Sequence, residues 1–194
     1  MVLSASPVNW TALQNGSDIR GVALPGIPDE SVNLPPAVAK TLGQAFVTWL
    51  AARLQKAPTE LTVAVGRDSR LSGPTLMAAV IEGMVTMGSR VYDTGMASTP
   101  AMFMSTVLPE FQCDGAMMLT ASHLPFNRNG LKFFTRQGGL GKPDIKQILA
   151  LAAADEWVPA QAAGAIAERD LIAADAAELV RQIRAAVNHP EHFD

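Results

Sequence analysis

Short apolar runs alternate with longer amphipathic stretches along this chain, and that alternation narrows the possible folds more than any other feature. Residues 61–65 read "LTVAV", residues 90–95 "RVYDTG", residues 115–121 "GAMMLTA" and residues 131–135 "LKFFT". Such short runs, rich in β-branched or bulky residues, mark buried strands. Residues 17–24, "SDIRGVAL", predict one more short strand before a Pro/Gly loop. Helical patterns lie between them. Val38, Leu42, Phe46, Trp49, Leu50 and Leu54 recur at helical spacing over residues 37–54. Pro35 and Pro36 suit that helix's first turn, where a missing N–H is harmless, and Pro58 closes the element. Ser72 is placed to cap a second helix through about Met87, with Gly88 behind it. Ser98 or Thr99 opens a third helix, with Pro100 near its first position, and residues 144–154 make a fourth.

This order predicts an α/β fold: a three-layer α/β/α sandwich with helices on both faces of the sheet. Crossover helices permit parallel neighbours, whereas a tight "FNRNG" connection suits an antiparallel pair. The sheet is therefore expected to be mixed and mostly parallel. Residues 1–16 read as polar and irregular. After Trp157, "VPAQAAGAIAERD" reads as a linker. A last helix over residues 171–187 carries Leu171, Ile172, Leu179, Ile183 and Val187 on one stripe, and "NHPEHFD" follows it. An apolar stripe there needs something to pack against, so a protein partner covering this helix is expected. The division is a domain over residues 1–160, then a linker and helix over residues 161–194.

Composition excludes several classes of function. With 48% hydrophobic and 17% charged residues, the 194-residue chain is globular rather than disordered. A net charge of −3 with scattered basic residues leaves no footprint for nucleic acid. No apolar run approaches the ~20 residues that span a membrane. Cys113 is the one cysteine, which excludes an intrachain disulfide framework. The N-terminus lacks the basic start and apolar block of a secretory signal and the Arg-rich character of a transit peptide.

Chemistry concentrates in "LTASHLPFNRNGLKFF", residues 119–134. Ser122 follows a buried strand, and ligands of open α/β sheets gather beyond the strand C-termini. A Ser hydroxyl needs a base or electrophile to become a nucleophile. His123 is adjacent, but neighbours along extended chain point apart, so it is not Ser122's direct base. Local features leave two readings open: Ser122 closes a turn, or it carries chemistry. No Gly-x-Ser-x-Gly elbow, P-loop or dinucleotide fingerprint surrounds these motifs. "GRDSRLSG", residues 66–73, reads most simply as a helix-capping loop with a local Arg–Asp pair; the other reading is electrostatic support for a phosphate. His189 and His192 read as a solvated tail, since no carboxylate or thiolate cluster joins them.

Taken together, three motifs resemble one family. "TASHLPFNRNGLKFF" is similar to the phosphoserine loop of the α-D-phosphohexomutases, the phosphoglucomutase/phosphomannomutase family. "DIRG" and "GRDSRLSGP" resemble two other motifs of the family's first domain, in the same order. The resemblance implies a phosphoserine-bearing domain of an enzyme interconverting hexose 1-phosphate and hexose 6-phosphate. It implies that Ser122 carries the exchanged phosphoryl group and offers one oxygen to Mg²⁺. Arg20 and Lys132 would flank the transferring phosphate. Lys132 would also serve as general acid or base once neighbouring cations lower its pKa. His123 would line the substrate side. A hexose bisphosphate activator is implied too. So is a cytoplasmic location, or the plastid stroma if the source is a photosynthetic eukaryote.

The family's further domains supply an Asp-Gly-Asp-Gly-Asp metal loop, a sugar-reading loop and a distal phosphate clamp. None of those motifs occurs in these residues, and Leu124 stands where the family's loop has Asn. The expectation is a domain inactive alone, with Mg²⁺ weak or absent in this chain by itself. The alternative is a single-domain relative that has lost catalysis and acts as a binding or structural subunit.

Overall fold

The computed structural model describes residues 8–187, so the tail histidines His189 and His192 lie outside the described residues. At the middle of its sheet are β3 (Thr62–Arg67) and β5 (Gly115–Leu119), where the apolar runs required central strands. The other strands are β1 (Gln14–Asn15), β2 (Asp18–Val22), β4 (Arg90–Met96), β6 (Arg128–Thr135), β7 (Gly138–Gly139) and β8 (Ile166–Glu168). They run β1-β2-β6-β5-β3-β4-β8, with β7 paired to β6. The expected mixed sheet is present, with three parallel and four antiparallel pairs among the described strands rather than a parallel majority. Its parallel pairs β3–β5, β3–β4 and β4–β8 form one half, and antiparallel ladders through β6 and β2 form the other.

Alternation along the strands sorts the two faces. Val63, Val65, Met117, Leu119 and Phe133 face α1 (Pro36–Leu54), α2 (Gly73–Thr86) and α4 (Lys142–Ala154). Ala64, Ala116 and Met118 face α3 (Thr99–Met104) and the first turn of α5 (Leu171–Ala186). That is the three-layer sandwich. Leu42, Phe46 and Leu50 of α1 are fully buried, each contributing roughly 1.5–3 kcal/mol over an exposed side chain. The backbones of α1 and α2 touch: a Cβ on Gly43 would lie 2.5 Å from the Val80 carbonyl, and one on Gly83 would lie 2.2 Å from that of Lys40.

Several local readings need correction. The N-terminal stretch is not irregular throughout. Asn9 accepts a hydrogen bond from the Ala12 amide and caps a 3-10 turn over Trp10–Leu13, and β1 then pairs with β2. Helix α1 stops at the left-handed Gln55, and Pro58 instead opens a 3-10 turn. Ser72 stands at the start of α2 but makes no capping bond, because its hydroxyl accepts from Asn129. "FNRNG" is not as a whole the connection between strands. Its last three residues, Arg128, Asn129 and Gly130, lie in β6, and the reversal occurs before them over residues 120–127. The stretch read as a linker contributes β8, which extends the sheet alongside β4 with Val91 opposite Ile166. A three-residue edge strand holds too few side chains to show a period of two; backbone pairing with β4 decides it. Among the described residues, no helix is long and apolar enough to cross a membrane.

Candidate active site

Strand β5 delivers the chain to Ser122 at its C-terminal end. Thr120 and Ala121 are buried, and Ser122 turns outward with φ +53°. A non-glycine residue in this left-handed region gives up about 1–2 kcal/mol, so the neighbours must hold it. The Ser122 amide donates to Thr120 Oγ1 at 2.9 Å. The larger restraint is Arg70, from the loop after β3. Its guanidinium donates to the carbonyls of Ser122 (2.8 Å), Leu124 (2.7 Å), Pro125 (2.8 Å) and Arg128 (3.0 Å). Asp68 fixes Arg70 in turn, accepting from its backbone amide at 3.0 Å and lying 3.5 Å from its Nε.

The far end of the loop is tied as firmly. Glu30 accepts from Asn127 Nδ2 at 2.8 Å and pairs with Arg128 at 2.7 Å. The Arg128 hydrogen bond, and after it that of Asn127, hold the Glu30 carboxyl below its ordinary value. Asn129, fully buried, donates to Ser72 Oγ at 2.8 Å. Beside it Gly130 allows close approach of β2: a Cβ there would lie 2.4 Å from the Ile19 carbonyl.

The antiparallel β2–β6 register places Arg20 opposite Gly130 and Ile19 opposite Leu131. Asp18 and Arg20, two apart on a strand, share a face with Lys132. Asp18 Oδ2 joins them, 2.9 Å from Arg20 and 2.6 Å from Lys132 Nζ. Arg20 in turn reaches Ser122 Oγ at 3.5 Å. The side chains of Asp18 and Arg20 are only 13% and 14% exposed. They form a partly desolvated ion cluster rather than a pair of surface charges.

Ser122, Arg20 and Lys132 are thus brought to one place. Lys132 touches the Asp18 carboxylate, and the cation beside it is Arg20, on the same oxygen. His123 is exposed beside Ser122, and its ring has no hydrogen bond among the described residues. Sequence reasoning missed two residues. Asp18 sits inside "DIRG", where the i, i+2 spacing on a strand was the available signal. Arg70 was read as a local Arg–Asp pair, and nothing in the sequence signals its grip on four carbonyls.

A Mg²⁺ ion needs near-octahedral oxygen coordination. Among the described residues, no group of three or more His, Cys, Asp or Glu side chains converges to hold a metal. Among the described residues, no such cluster stands beside Ser122, the oxygen donor that the resemblance assigns to magnesium.

Fold and site together define an α/β/α domain whose central strand ends in a left-handed serine, flanked by an Arg and a Lys that share one carboxylate. The chain belongs to the phosphoglucomutase/phosphomannomutase family: residues 12–158 match its α/β/α domain I. Phosphoglucosamine mutase of Ruminiclostridium cellulolyticum is 37% identical over 124 residues, covering 63% of this chain and 25% of that protein. Phosphoglucomutase of Neisseria meningitidis is 32% identical over 155 residues, covering 79% of this chain and 30% of that protein. A phosphoglucomutase/phosphomannomutase family protein of Burkholderia thailandensis superposes with a TM-score of 0.69 at 27% identity, over 88% of this chain and 34% of that one. The chain therefore spans about a quarter to a third of the length of these relatives.

Proposed function

We propose that this chain is the phosphoserine-bearing domain of a phosphohexomutase acting on hexose phosphates, and that it is inactive without the rest of the catalytic cleft. The observation that carries the reading is the Ser122 hydroxyl, held on a left-handed turn 3.5 Å from Arg20, which shares the Asp18 carboxylate with Lys132. Phosphoryl transfer depends on positioning and charge stabilisation, and this arrangement offers both on one wall. A sugar hydroxyl oxygen forms the new P–O bond while the bond from phosphorus to Ser122 Oγ breaks. The hydroxyl proton passes through a basic group of the site to Ser122 Oγ. By resemblance Lys132 relays that proton, and Arg20 stays cationic beside the phosphoryl oxygens. Transfer of the other phosphoryl group back to Ser122 completes the isomerisation. Magnesium belongs to this reading for the complete enzyme.

Relatives named for glucose, mannose and glucosamine phosphates leave the hexose class as the common substrate. In this reading the exposed face of α5 packs on the rest of the cleft, since Ile172, Leu179 and Ile183 are 42%, 51% and 48% exposed. A cleft with one wall also stays wet, which weakens each electrostatic contact in it.

The test is coupled conversion of glucose 1-phosphate with glucose 1,6-bisphosphate present. The isolated chain should give no turnover. Adding the remaining domains of a relative in trans should restore it, and Ser122→Ala should abolish the restored rate. Turnover by the isolated chain that disappears in Ser122→Ala would refute its insufficiency. No turnover in trans, with the domains bound, favours a binding or structural subunit instead.

A further inference from the structure

We propose that Arg70 is a positioning residue that turns the backbone amide of His123 into a donor for a phosphoryl group on Ser122. The proposal rests on the phosphoserine reading above and adds a group to it. Arg70 is largely buried, and its two terminal nitrogens are spent on four carbonyls of the same loop. A planar guanidinium fork can do this where a single ammonium cannot. The loop's own backbone bonds are few: Leu124 to Ala121 and Arg128 to Pro125. From Ser122 to Pro125 the loop therefore takes its shape largely from this one side chain, while Glu30 and the Ala23 and Leu24 amides on the Asn127 carbonyl hold its far end.

The carbonyl of Ser122 carries the consequence. No described peptide bond is cis, and in a planar trans peptide the N–H points opposite to the C=O. The Ser122 carbonyl is drawn inward onto Arg70 at 2.8 Å. The N–H of the same peptide unit, that of His123, is thereby turned outward. His123 is exposed, and its amide has no protein partner among the described residues. This amide directly follows the residue that would carry the phosphoryl group. A backbone N–H aimed at a phosphate oxygen gives a charge-assisted hydrogen bond. It does not titrate and needs no side-chain ordering. Arg20 approaches the same hydroxyl through its side chain, so the phosphoryl group would meet one guanidinium and one main-chain donor. Helix-capping by "GRDSRLSG" does not require either relation.

The experiment uses the chain with phosphoserine encoded at position 122, compared with unmodified chain by amide NMR and hydrogen exchange. The His123 amide should move downfield on phosphorylation and follow the phosphate's second ionisation at about pH 6. In Arg70→Lys that shift should be lost. Exchange over residues 120–128 should then rise by at least about tenfold while β3 and β5 keep their protection. Leu42→Ala, which opens the core beneath α1, should lower global stability yet leave the His123 shift in place. A His123 amide in the native sequence that ignores phosphorylation overturns the proposal without any variant. So does Arg70→Lys that keeps the shift and the loop's protection, or that loosens the whole sheet equally. None of these readouts uses turnover. A chain that gives the expected spectra yet never passes its phosphoryl group to a sugar refutes the mutase reading and leaves this one standing.

Discussion

The Ser122 loop and helix α5 each follow a strand of the same sheet, and they are held in opposite ways. The loop is exposed, yet its backbone is tied down by polar groups from far along the chain: Arg70 to Ser122, Ser72 to Asn129, Glu30 to Arg128. Helix α5 is held at its start. Asp170 caps it by accepting from the Ala173 amide, Leu171 is fully buried, and Arg169 stacks on Tyr92 and Phe111 at 5.0 Å from each ring. Beyond that turn its ionic contact is local, Glu178 with Arg181, which takes the Glu178 carboxyl down to about 2. Ile172, Leu179, Val180 and Ile183 remain exposed. The contrast shows where this chain's own residues complete a structure and where they do not. Order at the serine is internal; order along α5 is propagated from one end.

Removing Asp18 should break that contrast most. Asp18→Ala leaves Arg20 and Lys132 as partly buried cations without their shared carboxylate. Loss of one partner from a fully buried pair costs about 3–5 kcal/mol, and partial exposure brings this to about 2–3 kcal/mol. Denaturant unfolding reads the loss. A change no larger than that of an α5 surface variant would show the site cluster to be no more organised than a solvated face.

Acid should loosen the far end of the loop next. The folded-state value of Glu30 is depressed below 4.5, with the Arg128 hydrogen bond as the main cause. Its contribution is therefore present above pH 4.5 and is lost as pH falls through the lower folded value. Hydrogen exchange over residues 126–130 should rise as pH falls through that range, beyond the intrinsic pH dependence. Glu30→Gln should be loosened already at pH 7 and lose most of the pH response; an identical acid profile in that variant would remove Glu30 from the clamp.

The smallest effect is expected on α5. Leu179→Ser should shift unfolding free energy by no more than about 0.5 kcal/mol, as exposed positions do, while weakening binding of the remaining domains added in trans. A loss comparable to that of Asp18→Ala would mean the α5 face is already packed in solution, and the contrast would fall.

The motifs told which residues the fold brings together better than they told what each one contacts. Ser122 was legible from its place after a plain apolar strand, whereas Arg20 and Lys132 were legible only through the family resemblance of their motifs. Asp18 was in view, two residues from Arg20, but its carboxylate acquires a role only when the β2–β6 register brings Lys132 alongside. Ser72 had the composition of a cap, and a buried Asn129 claimed its hydroxyl first. Asn129-Gly130 had the composition of a turn, and the close passage of β2 required the glycine within a strand instead.

By itself the sequence determined the α/β class, the central place of β3 and β5, and the helices α1, α2, α3 and α4, because burial imposes a period that neighbouring residues repeat. It also determined that a serine would emerge at the end of β5. Only the tertiary structure decided that β8 joins the sheet, that Arg70 shapes the serine loop and that Asp18 unites the two cations. Those depend on partners 52 to 114 residues apart for the polar contacts, and on backbone pairing for the strand. Hydrogen bonds of that kind are set by where elements meet, and no local periodicity records them.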